Sequence, residues 1–221
     1  MQNRPLFKSD APPRHIAIEG PIGVGKSTLM RRLAESLGYA TLEEKADENP
    51  FLERFYSNRQ HAALATQLFF LFQRAQQLSD LQQSDLFAQG YVADFLFQKD
   101  PLFAQLTLDA NELELYQKVY QQLAVDLPPA DLVIYLQAPS KVLKDRIQQR
   151  GVRFERNIDS RYLEQVNEAY SEYFLHYSAS PLLIVNAEDI DFAHNDRDYQ
   201  QLLDYLLEIP SGRHYFNPTF F

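Results

Sequence analysis

A parallel α/β sheet flanked by helices is the fold this sequence predicts, on three observations. Strand-like runs alternate with helical ones along its 221 residues, the pattern of parallel strands joined by crossover helices. Gly20-Pro21-Ile22-Gly23-Val24-Gly25-Lys26-Ser27 reads as G-x-x-x-x-G-K-[ST], with the apolar run His15-Ile16-Ala17-Ile18 before it and a helical run after it. Pro128-Pro129 and Pro139 bracket the fourth strand-like run as turns.

Five strands are expected, at His15–Glu19, Tyr39–Glu43, Tyr91–Asp94, Asp131–Leu136 and Pro181–Val185. Helices are expected near Lys26–Leu37, His61–Leu81, Asn111–Asp126, Ser140–Arg150, Ser160–Tyr177 and Asp198–Leu207. The ends, Met1–Pro13 and Ser211–Phe221, carry no clear pattern and are expected to be irregular. The aromatic tail Tyr215-Phe216…Phe220-Phe221 is expected to pack on the body, because contiguous exposed apolar patches are uncommon. The whole chain, 1–221, is expected to form one domain.

Composition narrows the function. A hydrophobic share of 45% suffices for a sizeable core, and the absence of cysteine excludes disulfides and thiolate chemistry. No apolar run approaches the roughly 20 residues of a membrane span, and the start lacks the apolar stretch of a signal peptide. A cytoplasmic enzyme is the expectation. A net charge of −9 argues against a nucleic-acid binder, which carries a basic footprint. One stretch runs the other way. From Lys141 to Arg161 basic residues outnumber acidic ones seven to three, a positive island suited to a polyanionic small molecule.

The glycine-rich turn carries the most specific chemistry. Its glycines let successive backbone N–H groups turn toward phosphate oxygens, and the following helix adds its N-terminal donors and dipole. Lys26 reaches the β- and γ-phosphates and the Ser27 hydroxyl suits Mg²⁺. The site expected for ATP is therefore Gly20, Gly23, Gly25, Lys26, Ser27 and Thr28. Ligands of open α/β sheets sit beyond the carboxyl ends of the strands. Glu43-Glu44 and Asp94 fall there too. Glu44 is the leading general base for an alcohol acceptor, or else one more solvated carboxylate in an acidic loop. Asp94 stands near Mg²⁺, orients the base, or caps a helix. Gln67 and Arg74, seven apart, share one helix face and form a kit for reading a nucleobase edge. The competing role for Arg74 is an internal salt bridge with Asp100. Arg146, Arg150 and Arg153 precede or enter a flap, Gly151 to Ile158, where cations stabilise a transferring phosphoryl group. The same cluster also fits a solvated basic helix end.

Taken together, IEGPIGVGKST, EEKADENPFLERFY, TQLFFLFQRAQQL, VADFLFQKDPLFA and RIQQRGVRFERNIDSRYL resemble the deoxynucleoside kinase family, from Ile16 to about Leu207. The resemblance implies a P-loop kinase fold, a five-stranded parallel sheet among helices with an arginine-containing flap, in a homodimer built through a helix bundle. It implies ATP and Mg²⁺ with a small deoxynucleoside acceptor, Glu44 as catalytic base, and Tyr56 with Glu155 at the sugar 3′-hydroxyl. It further implies base contacts from Gln67, Arg74 and Asp100, Phe103 against the base, and flap arginines Arg146 and Arg150, with Arg153 near the donor. Three positions depart from the family. Phe95 stands where an arginine is usual after the third strand, Lys45 where proline is usual, and Val152 where a further flap arginine is usual, with Arg153 beside it. Either a flap arginine substitutes for the one missing at Phe95 or activity is weak. The alternatives are a nucleoside monophosphate kinase of thymidylate type and a non-catalytic nucleotide-binding subunit or sensor. The base preference leans to purines.

Overall fold

Strand β1 (His15–Glu19) lies at the centre of the sheet, and every neighbour runs parallel to it. The computed structural model describes residues 12–84, 89–124, 129–192, 195–209 and 211–218. Expectations for 1–11, for Asp126 and Pro128, and for Phe220 and Phe221 fall outside those residues. In chain order the elements are β1, α1 (Lys26–Leu37), β2 (Ala40–Leu42), α2 (Leu52–Ser57), α3 (Ala63–Ser84) and β3 (Tyr91–Ala93). There follow α4 (Asp100–Thr107), α5 (Ala110–Ala124), β4 (Leu132–Gln137), α6 (Ser140–Arg150) and α7 (Ser160–His176). The chain closes with β5 (Leu182–Asn186), α8 (Asp196–Glu208) and β6 (Arg213–Phe216).

The sheet has six strands in the order β2-β3-β1-β4-β5-β6, not the five expected. The sixth, β6, lies inside the tail expected to be irregular. Its register pairs Leu183 with His214 and Val185 with Phe216, and Phe216 is buried in the core. Short helices α2 and α4 were also not among the expected elements.

Alternate residues of the central strands serve two separate cores, as a two-residue side-chain period requires. Ile16, Ile18, Ile134, Leu136, Leu183 and Val185 face α1, α6 and α8. Ala17, Val133, Tyr135, Leu182 and Ile184 face α7 and the Leu52–Phe55 side of the molecule. A third cluster, with Leu71, Leu78, Phe95 and Tyr116, joins α3 and α5 to β3. The chain leaves β1 for β2 on one side, returns to β3, then crosses to β4 on the other. That reversal opens a crevice beyond the carboxyl ends of β1 and β3, where open sheets bind ligands.

Candidate active site

The turn from β1 to α1 is held open by glycine. Gly20 has φ +149, and a Cβ there would sit 2.5 Å from the Leu136 carbonyl oxygen. Gly23 has φ +85, and its Cβ would meet the Leu143 carbonyl oxygen at 2.8 Å. Gly25 precedes α1 without a side-chain cap, so the first N–H groups of the helix stay available to an anion. Lys26 Nζ donates to the Gly20 carbonyl at 2.8 Å, which holds the ammonium in the mouth of the turn. Burial lowers its pKa, against the pull of the Glu19 carboxylate.

Two clefts meet at this turn. One, of about 550 Å³, is lined by Gly23, Gly25, Lys26, Ser27, Thr28, Arg146, Arg150 and the 190–192 stretch. The other, of about 360 Å³, is lined by Glu44, Tyr56, Gln67, Phe70, Arg74, Asp94, Lys99, Phe103, Arg150 and Glu155. Gly23, Lys26, Ser27 and Arg150 line both, so they mark the seam between them.

Asp94 joins the two sides. Its Oδ2 accepts from Ser27 Oγ at 2.5 Å and its Oδ1 accepts from the Glu44 backbone N–H at 2.6 Å. It caps no helix, since α4 starts at Asp100. Burial, then the Glu44 charge, raises its pKa. Glu44 turns into the second cleft instead of solvent. Arg74 Nε donates to Glu44 Oε1 at 2.7 Å, and Arg74 Nη2 pairs with the same oxygen. Burial alone would raise the Glu44 carboxyl. Arg74, then Lys99 and Lys26, outweigh it and hold the group below the ordinary carboxylate range.

Arg74 also stands 2.7 Å from Asp100 through Nη1 and Oδ2, so the salt bridge and the cleft-facing role coexist. Asp100 itself lies behind Arg74, wholly buried and outside the cleft lining. Tyr56 and Glu155 line the same wall, and the Phe154 ring stacks on Tyr56 with centroids 6.3 Å apart. Arg150 Nη2 donates to Glu155 Oε1 at 2.5 Å. Arg146 Nη2 donates to the carbonyls of Ala187, Glu188 and Ile190, at 2.9, 3.1 and 3.1 Å, so it frames the larger cleft. Arg153 lines neither cleft. Its side chain is 89% exposed and stands 3.9 Å from Glu53.

The three departures resolve in the coordinates. Phe95 is buried in the α3–β3 core, so the missing arginine leaves no vacancy at the site. Arg74 from α3 holds Glu44, while the flap-side Arg150 pairs with Glu155. Lys45 pairs with Glu48 at 3.0 Å on the surface, and Val152 is an apolar wall of the smaller cleft.

Sequence reasoning missed a buried ion pair behind the cleft. Lys99 Nζ lies 3.1 Å from Glu19 Oε1, and Glu19 also accepts from Gly20 N, Leu96 N and Tyr170 OH. The Lys99 ammonium sits 4.6 Å above the Phe103 ring. A carboxylate closing an otherwise apolar strand was the available signal.

The deoxynucleoside kinase family model matches residues 16–209. The chain belongs to the deoxynucleoside kinase family. A deoxyguanosine kinase of Bacillus subtilis is 36% identical over 201 residues, covering 88% of this chain and 96% of that one. A deoxyadenosine/deoxycytidine kinase of the same organism is 27% identical, covering 88% and 92%. Among solved structures, deoxyadenosine kinase from M. mycoides with bound dATP superposes at a TM-score of 0.76, with 26% identity and coverage of 87% and 98%. This kinase is thus a phosphotransferase that acts on a nucleoside hydroxyl. Among the described residues, no helix is long and apolar enough to cross a membrane.

Proposed function

We propose that this kinase transfers the γ-phosphoryl group of ATP to the 5′-hydroxyl of a deoxynucleoside, with Glu44 as general base. The observation that carries the reading is the seam. A phosphate-loop lysine and an arginine line both a nucleotide-sized cleft and a smaller, aromatic-lined one that also holds the Glu44 carboxylate.

The larger cleft takes the donor, its phosphates against the N–H groups of residues 23–28. The smaller takes the acceptor, with Phe103 and Phe70 against the base, Gln67 and Arg74 at its edge, and Tyr56 with Glu155 at the sugar. Glu44 accepts the 5′-hydroxyl proton as the oxygen attacks phosphorus. Lys26, Arg150 and Arg146 line the rim where negative charge builds. The Ser27 hydroxyl and Asp94 carboxylate, already adjacent, fit Mg²⁺, which keeps several waters and needs only one or two protein oxygens beside the phosphates. Held by those two side chains, the ion would supply charge neutralisation on the donor's phosphates.

The base is a purine in this reading. A guanidinium beside an amide suits adjacent acceptors such as guanine O6 and N7, and the Bacillus subtilis deoxyguanosine kinase is a relative. We also read the enzyme as cytoplasmic and homodimeric. Phe72 on α3 and Leu115 on α5, 52% and 50% exposed, support a helical dimer face. The chain as one domain, 1–221, belongs to the same reading.

The test is Glu44→Gln, assayed by ADP release with each natural deoxynucleoside. Turnover is expected to fall by about 10² to 10⁴, the usual worth of a general base, with the KM for ATP little changed. Unchanged turnover would remove Glu44 from the mechanism. ATP binding without phosphorylation of any deoxynucleoside by the wild-type chain would favour the sensor reading.

A further inference from the structure

One guanidinium in this molecule serves two carboxylates of different kinds. Arg74, whose side chain is only 4% exposed, holds Glu44 Oε1 through Nε and Nη2 and faces Asp100 through Nη1. Both contacts to Glu44 fall on the same oxygen. Glu44 held in this way is a poorer proton acceptor, because the guanidinium occupies one of its two oxygens and stabilises the ionised carboxylate. Arg74 also lines the base end of the acceptor cleft, on the helix face it shares with Gln67. The residue placed to read the base is therefore the residue that occupies the general base.

The Asp100 side of the pair is the anchored one. Arg74 Nη1 and Asp100 Oδ2 stand 2.7 Å apart, both groups are buried, and the buried Tyr116 hydroxyl faces Asp100. Breaking a buried pair is costly, so Asp100 retains the guanidinium. Nε and Nη2, the edge now on Glu44, are the donors left to turn to another acceptor. The rings of Phe70 and Phe95, with centroids 5.1 and 5.9 Å from the guanidinium carbon, flank it.

We propose that Arg74 couples recognition of the base to release of Glu44: acceptor atoms of a docked base draw Nε and Nη2 off Glu44, while Asp100 keeps Nη1, and Glu44 is freed for the 5′-hydroxyl. The proposal rests on the reading of Glu44 as general base. Without a base in the cleft, Glu44 stays engaged and water is a poor phosphoryl acceptor. The device spends base recognition on turnover and not on affinity alone. Arg74 acts here as a positioning residue. The side reaction it suppresses is balanced: a water oxygen bonds to the γ-phosphorus, the bond to the ADP oxygen breaks, and the water proton passes to Glu44.

The experiment measures phosphate release from ATP without nucleoside, beside ADP release with the best deoxynucleoside, for wild type, Arg74→Gln, Glu44→Gln and the double variant. Arg74→Gln is expected to raise nucleoside-free hydrolysis at least about tenfold, a fraction of what a general base supplies, while lowering turnover of the nucleoside. The double variant is expected to return hydrolysis to the wild-type level. A merely structural Arg74 would lower both activities together. Unchanged hydrolysis in Arg74→Gln, or elevated hydrolysis that survives Glu44→Gln, would overturn the proposal. Full nucleoside turnover in the Glu44→Gln single variant would instead refute the general-base reading. A crystal structure of the wild type with its deoxynucleoside decides the matter if Arg74→Gln does not fold. Arg74 is expected within hydrogen-bond distance of the base and no longer in contact with Glu44, its pairing with Asp100 kept. An Arg74 still seated on Glu44 would end the proposal.

Discussion

The cleft proposed for the donor is built around residues 23–28, one contiguous stretch, with Arg146, Arg150 and 190–192 closing it, while the cleft proposed for the acceptor gathers Glu44, Arg74, Asp94, Lys99 and Arg150 from separate elements. The first is a local structure: a strand, a turn with glycines at positive φ and a helix N-terminus already make an anion site. The second exists only once the sheet has formed and α3, α4 and α6 have docked around it. Arg74 and Lys99 are buried there and paired, Arg74 with Glu44 and Asp100 and Lys99 with Glu19, so each is sensitive to loss of its partner. A phosphate site can be inherited as a motif, whereas specificity is written in long-range contacts.

Lys99→Met should give the largest loss. It leaves Glu19 buried and charged with three neutral donors, and breaking a buried pair costs about 3–5 kcal/mol. Urea unfolding checks this, and Glu19→Gln added to Lys99→Met should recover part of the loss. A drop below about 1 kcal/mol would mean that the acceptor wall tolerates an unpaired charge, and the contrast with the donor cleft would weaken.

The frame beneath both clefts is probed by His15. Burial depresses its pKa to about 4, although Nδ1 lies 3.2 Å from the Pro129 carbonyl and the ring stacks on Tyr91 at 4.5 Å. The unfolded chain binds the proton more readily. The stability that neutral His15 contributes is therefore full above about pH 6.5 and drains away as pH falls toward 4, by about 3 kcal/mol at most. His15→Asn keeps a donor for the carbonyl without titrating. Urea midpoints at pH 7 and pH 5 should converge for the variant and separate for the wild type.

Gly23→Ala strains the phosphate turn at a residue that lines both clefts, and the loop that would hold the donor should suffer most. The new Cβ meets the Leu143 carbonyl oxygen at 2.8 Å from a backbone at φ +85, a strain of about 1–3 kcal/mol. The KM for ATP should rise about 10- to 100-fold on that energy, with the nucleoside KM little changed. An equal rise in both would show that the clefts are not separable at this turn.

The same contrast explains what the sequence disclosed. The phosphate loop was legible because its chemistry sits in eight consecutive residues. Glu44 and Arg74 were visible one at a time, through a strand end, a helix face and the family resemblance. Their mutual contact spans thirty residues and follows from no spacing. Lys99 reads as a solvated lysine until Glu19 is placed beside it, because the partner that makes its burial tolerable lies in β1. Strand β6 was missed for a local reason. Arg213-His214-Tyr215-Phe216 is a short edge segment with one buried residue, so it lacks the apolar alternation that marks β1 and β4.

Arg153 is the residue on which the two clefts should differ least. The resemblance placed it near the donor, in a flap position next to Val152. In the structure it projects into solvent and lies 3.9 Å from Glu53, at the edge of ion-pair range and beyond hydrogen-bonding distance. An exposed pair of this kind contributes little, and surface substitutions away from special features usually change stability by under about 0.5 kcal/mol. Arg153→Ala should leave the KM for ATP, the KM for the nucleoside and kcat each within about twofold of wild type, the factor that such an energy allows. A selective rise in the KM for ATP would show instead that residues 151–159 swing over a bound nucleotide. The donor cleft would then owe its charge to a moving element as well as to its fixed loop, and the division between local and long-range construction would have to be redrawn there.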